Sequence, residues 1–206
     1  MSAGVVTVVA TGIANVASVE AALRRVGADV ELTDDATRVR DTARVVLPGV
    51  GAFGAGMARL TERGLAEAIV ERCAAQRPLL CVCLGLQLLC AASEESPGVA
   101  GLGVLDTVVR RFGEGVRAPQ FGWNRVEAGA GCQLLQSGYA YYANSYRISE
   151  APPGWSAARS VHGVSFIAAL ERGPVLACQF HPELSGVWGR ALLERWLRSA
   201  EGNCSC

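Results

Sequence analysis

Through the first half of the chain, short and wholly apolar runs alternate with stretches whose apolar positions recur every three or four residues. Residues 4–10 form a β-branched apolar run, the pattern of a strand covered on both faces. Asn15 stands where it can cap a helix in which Val16, Val19, Ala22, Leu23 and Val26 make one stripe, and Gly27 supplies the stop. Residues 29–33 and 44–47 predict two more strands, the second closed by Pro48-Gly49-Val50-Gly51. Helical periodicity covers residues 56–63 and 65–76. Residues 78–83 are a fully apolar strand running directly into a helix predicted from Leu84 to Ala92.

The second half changes character. Residues 105–112, 123–127, 139–146, 165–170 and 175–180 read as strands with little helix between them. Residues 187–200 predict a closing helix with Trp188, Leu192 and Trp196 on one stripe. Strands alternating with helices, followed by strands alone, predict an α/β fold: a doubly wound, mostly parallel central sheet with an antiparallel extension. No repeat, low-complexity segment or linker interrupts the sequence, so residues 1–206 are expected to form one domain.

Half of the residues are hydrophobic, enough for a core that needs neither disulfides nor a metal to hold it. The 19 basic residues, all arginine, balance 19 acidic ones without a basic run, which argues against a nucleic-acid partner. Eight cysteines would suit a disulfide framework in a small secreted scaffold, but here several lie in apolar runs such as LLCVCLGLQLLC, where cysteine packs as a small hydrophobe. With no Cys-x-x-Cys spacing and two histidines, no metal and no cofactor is expected. The apolar N-terminus lacks a basic flank and is too short to cross a bilayer, so the expectation is a cytoplasmic protein without membrane association.

The chemistry-bearing residues sit at two strand ends. Cys83 closes the apolar strand and opens a helix, the strand-turn-helix setting of a nucleophile elbow. A helix N-terminus there favours the attacking thiolate, and the N–H of Leu84 is placed to stabilise an oxyanion. So tight a turn calls for small residues two places either side; Gly85 meets this, whereas Cys81 brings a Cβ. Taken alone, the segment suits a buried core thiol as well as a nucleophile, and Cys81 and Cys90 read as core thiols. The second cluster is Gln179-Phe180-His181-Pro182-Glu183. A thiolate mechanism needs an imidazole to carry a proton and a third group to orient it. His181 and Glu183, two apart at a strand end, are expected to share a side, while His162 reads as a bystander.

Together these segments resemble the class I glutamine amidotransferases, in which Cys, His and Glu follow one another in that chain order. More closely, the chain is similar to the family of glutaminase subunits of imidazole glycerol phosphate synthase, of histidine biosynthesis. The likeness runs through Asn15-Val16-Ala17-Ser18-Val19, Leu47-Pro48-Gly49-Val50-Gly51-Ala52-Phe53 and Cys83-Leu84-Gly85-Leu86-Gln87-Leu88-Leu89. It continues through Ser93-Glu94-Glu95-Ser96-Pro97-Gly98-Val99, Gly122-Trp123-Asn124, Asn144-Ser145-Tyr146 and the His-Pro-Glu segment with Ser185.

The resemblance implies hydrolysis of L-glutamine to glutamate and ammonia, with Cys83 as nucleophile, His181 as proton carrier and Glu183 as its orienter. It implies oxyanion donors at Leu84 and in the turn at Val50 and Gly51. It also implies a grip on glutamine by Gln87 and the backbone of Ser145 and Tyr146, and a docking face that includes Asn15, Trp123 and Asn124. The implied partner in a heterodimer is a cyclase subunit, a (β/α)8 barrel that takes up the ammonia and makes imidazole glycerol phosphate and aminoimidazole carboxamide ribotide. Four positions depart from the family pattern: Cys81 for Gly, Gln120 and Asn144 for His, and Ala10 for Asp. None removes a member of the Cys-His-Glu set. Two alternatives stay open: a class I glutaminase serving a different synthase, and an impaired partner that binds the cyclase without hydrolysing glutamine.

Overall fold

The computed structural model describes residues 4–10 and 16–199; Asn15, expected as a cap and an interface residue, lies outside the described residues. The elements from the start of the chain are β1 (Val5–Val9), α1 (Val16–Arg25), β2 (Asp29–Thr33), α2 (Ala36–Asp41), β3 (Val45–Gly49), α3 (Phe53–Glu62) and α4 (Leu65–Ala74). Then come β4 (Leu79–Cys83), α5 (Leu84–Leu88), β5 (Cys90–Ser93), β6 (Leu105–Arg111), β7 (Gln120–Ala128), β8 (Gly138–Asn144) and β9 (Tyr146–Arg147). The chain continues with β10 (Ser156–His162), β11 (Val164–Arg172), β12 (Val175–Cys178), a 3-10 turn (Pro182–Leu184) and α6 (Gly186–Ser199).

Nine strands form one sheet in the order β2-β1-β3-β4-β12-β11-β10-β7-β8, and β5, β6 and β9 form a small second sheet. From β2 to β12 neighbours run parallel; from β12 to β8 they run antiparallel. The doubly wound sheet with its antiparallel extension is therefore present as the hydrophobic pattern predicts. Alternation along the central strands explains why they read as unbroken apolar runs. Val46, Leu80 and Val82 pack with Val19, Leu23, Leu192 and Trp196 of α1 and α6. Val45, Leu47, Leu79 and Cys81 pack on the other face with Phe53, Leu60, Ile69 and Leu86 of α3, α4 and α5. Each such large side chain contributes about 1.5–3 kcal/mol by leaving water. At the opposite end of β3 and β4 from the elbow, the buried Arg72 guanidinium donates to the carbonyls of Val39, Arg40, Thr42, Ala43 and Pro78. Its burial lowers its pKa to about 10.

Four elements differ from the sequence expectation. The helix expected to continue to Ala92 stops at Leu88, and Cys90–Ser93 becomes β5 paired with β6. Tertiary pairing decides here, because the run LGLQLLC, with Gln87 as its one polar side chain, carries no period that separates helix from strand. The short helix α2 was absent from the pattern; Asp35 caps it by accepting from the N–H groups of Thr37 and Arg38. Helix α3 begins at Phe53 rather than residue 56, because its first N–H groups bond the Glu95 carboxylate and the Ser96 hydroxyl. Strand β10 went unseen because its buried side chains are Ala158 and Ser160, without a hydrophobic stripe.

Candidate active site

Cys83 ends β4 with φ 54° and ψ −108°, a backbone conformation uncommon for a residue with a Cβ. Backbone contact with β3 holds it there. A Cβ on Gly85 would lie 2.2 Å from the carbonyl oxygen of Leu47, and one on Gly49 would lie 2.8 Å from the Gly85 nitrogen. These two glycines are what the elbow requires. Cys81 packs in the core layer of α3–α5, whereas Cys83 belongs to the opposite layer.

The His181–Glu183 pair is built by a turn rather than by strand alternation. Strand β12 ends at Cys178, and Pro182 opens the 3-10 turn with its ring at the position where no N–H is needed. This turn brings Glu183 Oε1 to 2.8 Å from His181 Nδ1, with both side chains buried. Strand β8 fixes the turn: the His181 N–H donates to Tyr141 at 2.9 Å. Ser185 completes the clamp, donating its hydroxyl to the His181 carbonyl at 2.6 Å and accepting from the Tyr141 N–H at 3.0 Å. Helix α6 presses from behind, since a Cβ on Gly189 would lie 2.1 Å from the Pro182 carbonyl oxygen.

Burial by itself pushes the His181 imidazolium down, but hydrogen bonds and charge from Cys83 and Glu183 outweigh it and raise the pKa to about 10. The geometry therefore favours a protonated imidazole beside the sulfur. The other described cysteines are held as thiols. Burial pushes Cys73 and Cys90 up to about 12, Cys81 and Cys178 well above the usual thiol range, and Cys132 upward. His162 lies apart, against Phe112 with Nε2 at 2.6 Å from the Arg117 carbonyl.

Cys83, His181 and Glu183 line one cleft of about 440 Å³. Leu84, Val50 and Gly51 line it too, as do Gln87, Ser145 and Tyr146. Gln87 Nε2 reaches the Gln179 oxygen at 2.9 Å and the Tyr146 carbonyl at 3.5 Å, so both amide hydrogens have acceptors inside the protein. Glu95 and Gln179, in or beside the cleft, carried no expectation. Glu95 lines it and accepts the Phe53 N–H at 2.6 Å; Gln179 is fully buried and reaches Cys83. Gln179, two before His181 in a strand-end motif, was open to discovery from period-two spacing; Glu95 lies in an irregular loop that carries no such signal.

The predicted interface residues separate. Trp123 is 58% exposed and meets Tyr141 edge to face, beside Phe121, which is 70% exposed. Asn124 uses both ends of its amide within the sheet, donating to Val161 and accepting from the Arg125 N–H. Gln120 and Asn144 face one another across β7 and β8, both buried, each with a carbonyl oxygen that has no donor. Among the described residues no group of three or more His, Cys, Asp and Glu side chains is arranged for a metal, and no helix is long and apolar enough to cross a membrane.

Comparison with known proteins gives a concordant picture. The family described as glutamine amidotransferase class-I matches residues 7–199. The chain is 40% identical over 197 residues to imidazole glycerol phosphate synthase subunit HisH of Symbiobacterium thermophilum, covering 94% of this chain and 93% of the relative. It is 39% identical over 203 residues to the chloroplastic imidazole glycerol phosphate synthase hisHF of Arabidopsis thaliana, covering 95% of this chain and 34% of that one. Among solved structures, a glutamine amidotransferase superposes with a TM-score of 0.76 at 23% identity, covering 95% of this chain and 98% of the other, a likeness of fold.

Proposed function

The chain belongs to the class-I glutamine amidotransferase family, and on that premise we propose that it is the glutaminase subunit of an imidazole glycerol phosphate synthase. The observation that carries the reading is the buried 2.8 Å His181–Glu183 pair in one cleft with Cys83 on its strained elbow. Similarity along nearly the whole chain to relatives named for this synthase favours it over a glutaminase serving another one.

Glutamine enters the cleft with its side-chain carboxamide over Cys83. The thiolate attacks the carboxamide carbon, and the oxygen that becomes negative accepts from the N–H of Leu84 and from the turn at Val50 and Gly51. His181, protonated at rest, gives its proton to the departing ammonia and leaves a γ-glutamyl thioester on Cys83. It then takes a proton from water, whose oxygen attacks the thioester; glutamate leaves and the thiolate returns. Glu183 holds the ring throughout and stabilises its charge. At the far end of the substrate, Gln87 contributes its oxygen and Glu95 its carboxylate to the α-ammonium, while the backbone of Ser145 and Tyr146 meets the carboxylate.

The partner is a cyclase subunit, a (β/α)8 barrel that receives the ammonia by a channel and forms imidazole glycerol phosphate and aminoimidazole carboxamide ribotide. In the Arabidopsis relative the matched part is 34% of a chain named hisHF, so that polypeptide has room for a second unit. The exposed Phe121, which lines the cleft, and Trp123, which meets the cleft residue Tyr141, offer the docking face, and the turn at Val50 and Gly51 the element that docking moves. Residues 1–206 act as one domain, in the cytoplasm and without nucleic acid. Glutamate release from L-glutamine, measured for the chain alone, with cyclase and with cyclase plus its nucleotide ligand, tests the reading. The expected result is a slow rate that rises at each addition; no release under any condition refutes it.

A further inference from the structure

One buried side chain at the site has no role in the reaction as set out above. Gln179 is 0% exposed and its backbone is fixed by a 2.8 Å bond from its N–H to the Ala168 carbonyl. Its side-chain nitrogen lies 3.7 Å from Cys83 Sγ in donor geometry. Its oxygen accepts from Gln87 Nε2 at 2.9 Å. The orientation of the amide is therefore set from the far side: with the oxygen committed to Gln87, the N–H is turned to the sulfur. Gln87 is itself held, because its nitrogen also reaches the Tyr146 carbonyl, to which Asn144 donates at 3.0 Å.

A buried amide is costly unless both ends are paired. Here the partner of the N–H end is a sulfur, a weak acceptor as a thiol and a far better one as a thiolate. We propose that Gln179 is a positioning residue that holds the Cys83 sulfur and favours its thiolate, and that Gln87 sets the orientation of the Gln179 amide. The proposal rests on the reading of Cys83 as nucleophile. The sulfur carries charge when it attacks and again when the thioester breaks, and is neutral in between. The Gln179 N–H therefore assists the return of the thiolate as leaving group, while His181 handles the protons.

The test is peptide-resolved alkylation of Cys83 by iodoacetamide across a pH series, in the full chain, for wild type, Gln179→Met and Gln87→Met. Losing a hydrogen bond to a charged group moves the midpoint for Cys83 upward by about one pH unit in Gln179→Met. Gln87→Met moves it in the same direction by less, and the rate at the high-pH plateau stays as in wild type. Gln179→Leu, which is similar in size, uncharged and without the N–H, stands in if the methionine variant does not fold, and shifts the midpoint the same way. Midpoints equal to wild type, with only a lower plateau or melting temperature, mean that Gln179 merely packs, and overturn the proposal. Failure of the underlying reading is distinguishable, since Cys83→Ala would then keep its glutamate release.

Discussion

The two halves of the main sheet are built to opposite specifications. The parallel half, β2-β1-β3-β4-β12, is covered by helices on both faces, and its strand ends carry the elbow and the turn at Val50 and Gly51 and lead into His181. The antiparallel half leaves large apolar side chains in water, with Phe121, Trp123, Tyr139 and Val161 all more than half exposed. A nucleophile held at an unfavourable φ needs surroundings that overdetermine it, and two packed layers supply them. A surface that must recognise another protein needs the reverse, apolar area left uncovered. Tyr141 belongs to both: its backbone bonds His181 and Ser185, and its ring meets Trp123. On the proposed function, the parallel half does the chemistry and the antiparallel half meets the partner.

The division breaks or holds on substitutions in each half. The largest effect belongs to Cys83→Ala, which lowers glutamate release by at least about 10⁴-fold, with or without the cyclase, while thermal melting stays close to wild type. Trp123→Ala acts through the other half. It weakens binding of the cyclase by about 2 kcal/mol or more, measured by titration, and changes hydrolysis by the isolated chain much less. An equal loss in the isolated chain and in the complex would erase the distinction between the halves.

A smaller effect concerns protonation. His181 has its pKa raised to about 10 in the fold, against about 6.5 in an unfolded chain. The fold binds this proton more tightly, so the stabilisation is complete below pH about 6.5 and is lost as pH rises through about 10. His181→Gln should therefore destabilise most at mildly acid pH, with the gap to wild type closing toward pH 10 in denaturant titrations. A gap that widens with pH contradicts the imidazolium. Least consequential for activity is Cys81→Gly, because Cys81 fills the layer of α3–α5 rather than the nucleophile's surroundings. It costs about 1–2 kcal/mol of stability through lost packing and added chain freedom, and leaves glutamate release unchanged.

Legibility follows the same division. Strands β3 and β4 were readable because burial on both faces makes them unbroken apolar runs, and the elbow because it joins such a run to a helix. The pair His181 and Glu183 was readable as a motif, although its geometry comes from a 3-10 turn and the Ser185 clamp. Strand β10 was hidden because small and polar side chains suffice where its neighbours do the packing. The start of α3 was hidden because its caps, Glu95 and Ser96, come from 42 residues further along the chain. Glu95 was missed in the cleft for the same reason: local pattern says nothing about a loop that returns to a distant helix. The run 139–146 breaks into β8 and β9 at Ser145, beside the cleft, where no change in hydrophobicity marks it.

The central claim is that Cys83 is the nucleophile that takes the carboxamide of glutamine. A chloroketone analogue of glutamine, with the adduct located by peptide mass spectrometry, tests it most directly. The account predicts one adduct, on Cys83 and on no other of the eight cysteines, slowed by L-glutamine and lost together with glutamate release. Inactivation by an adduct on another cysteine, or full activity with Cys83 modified, would contradict it.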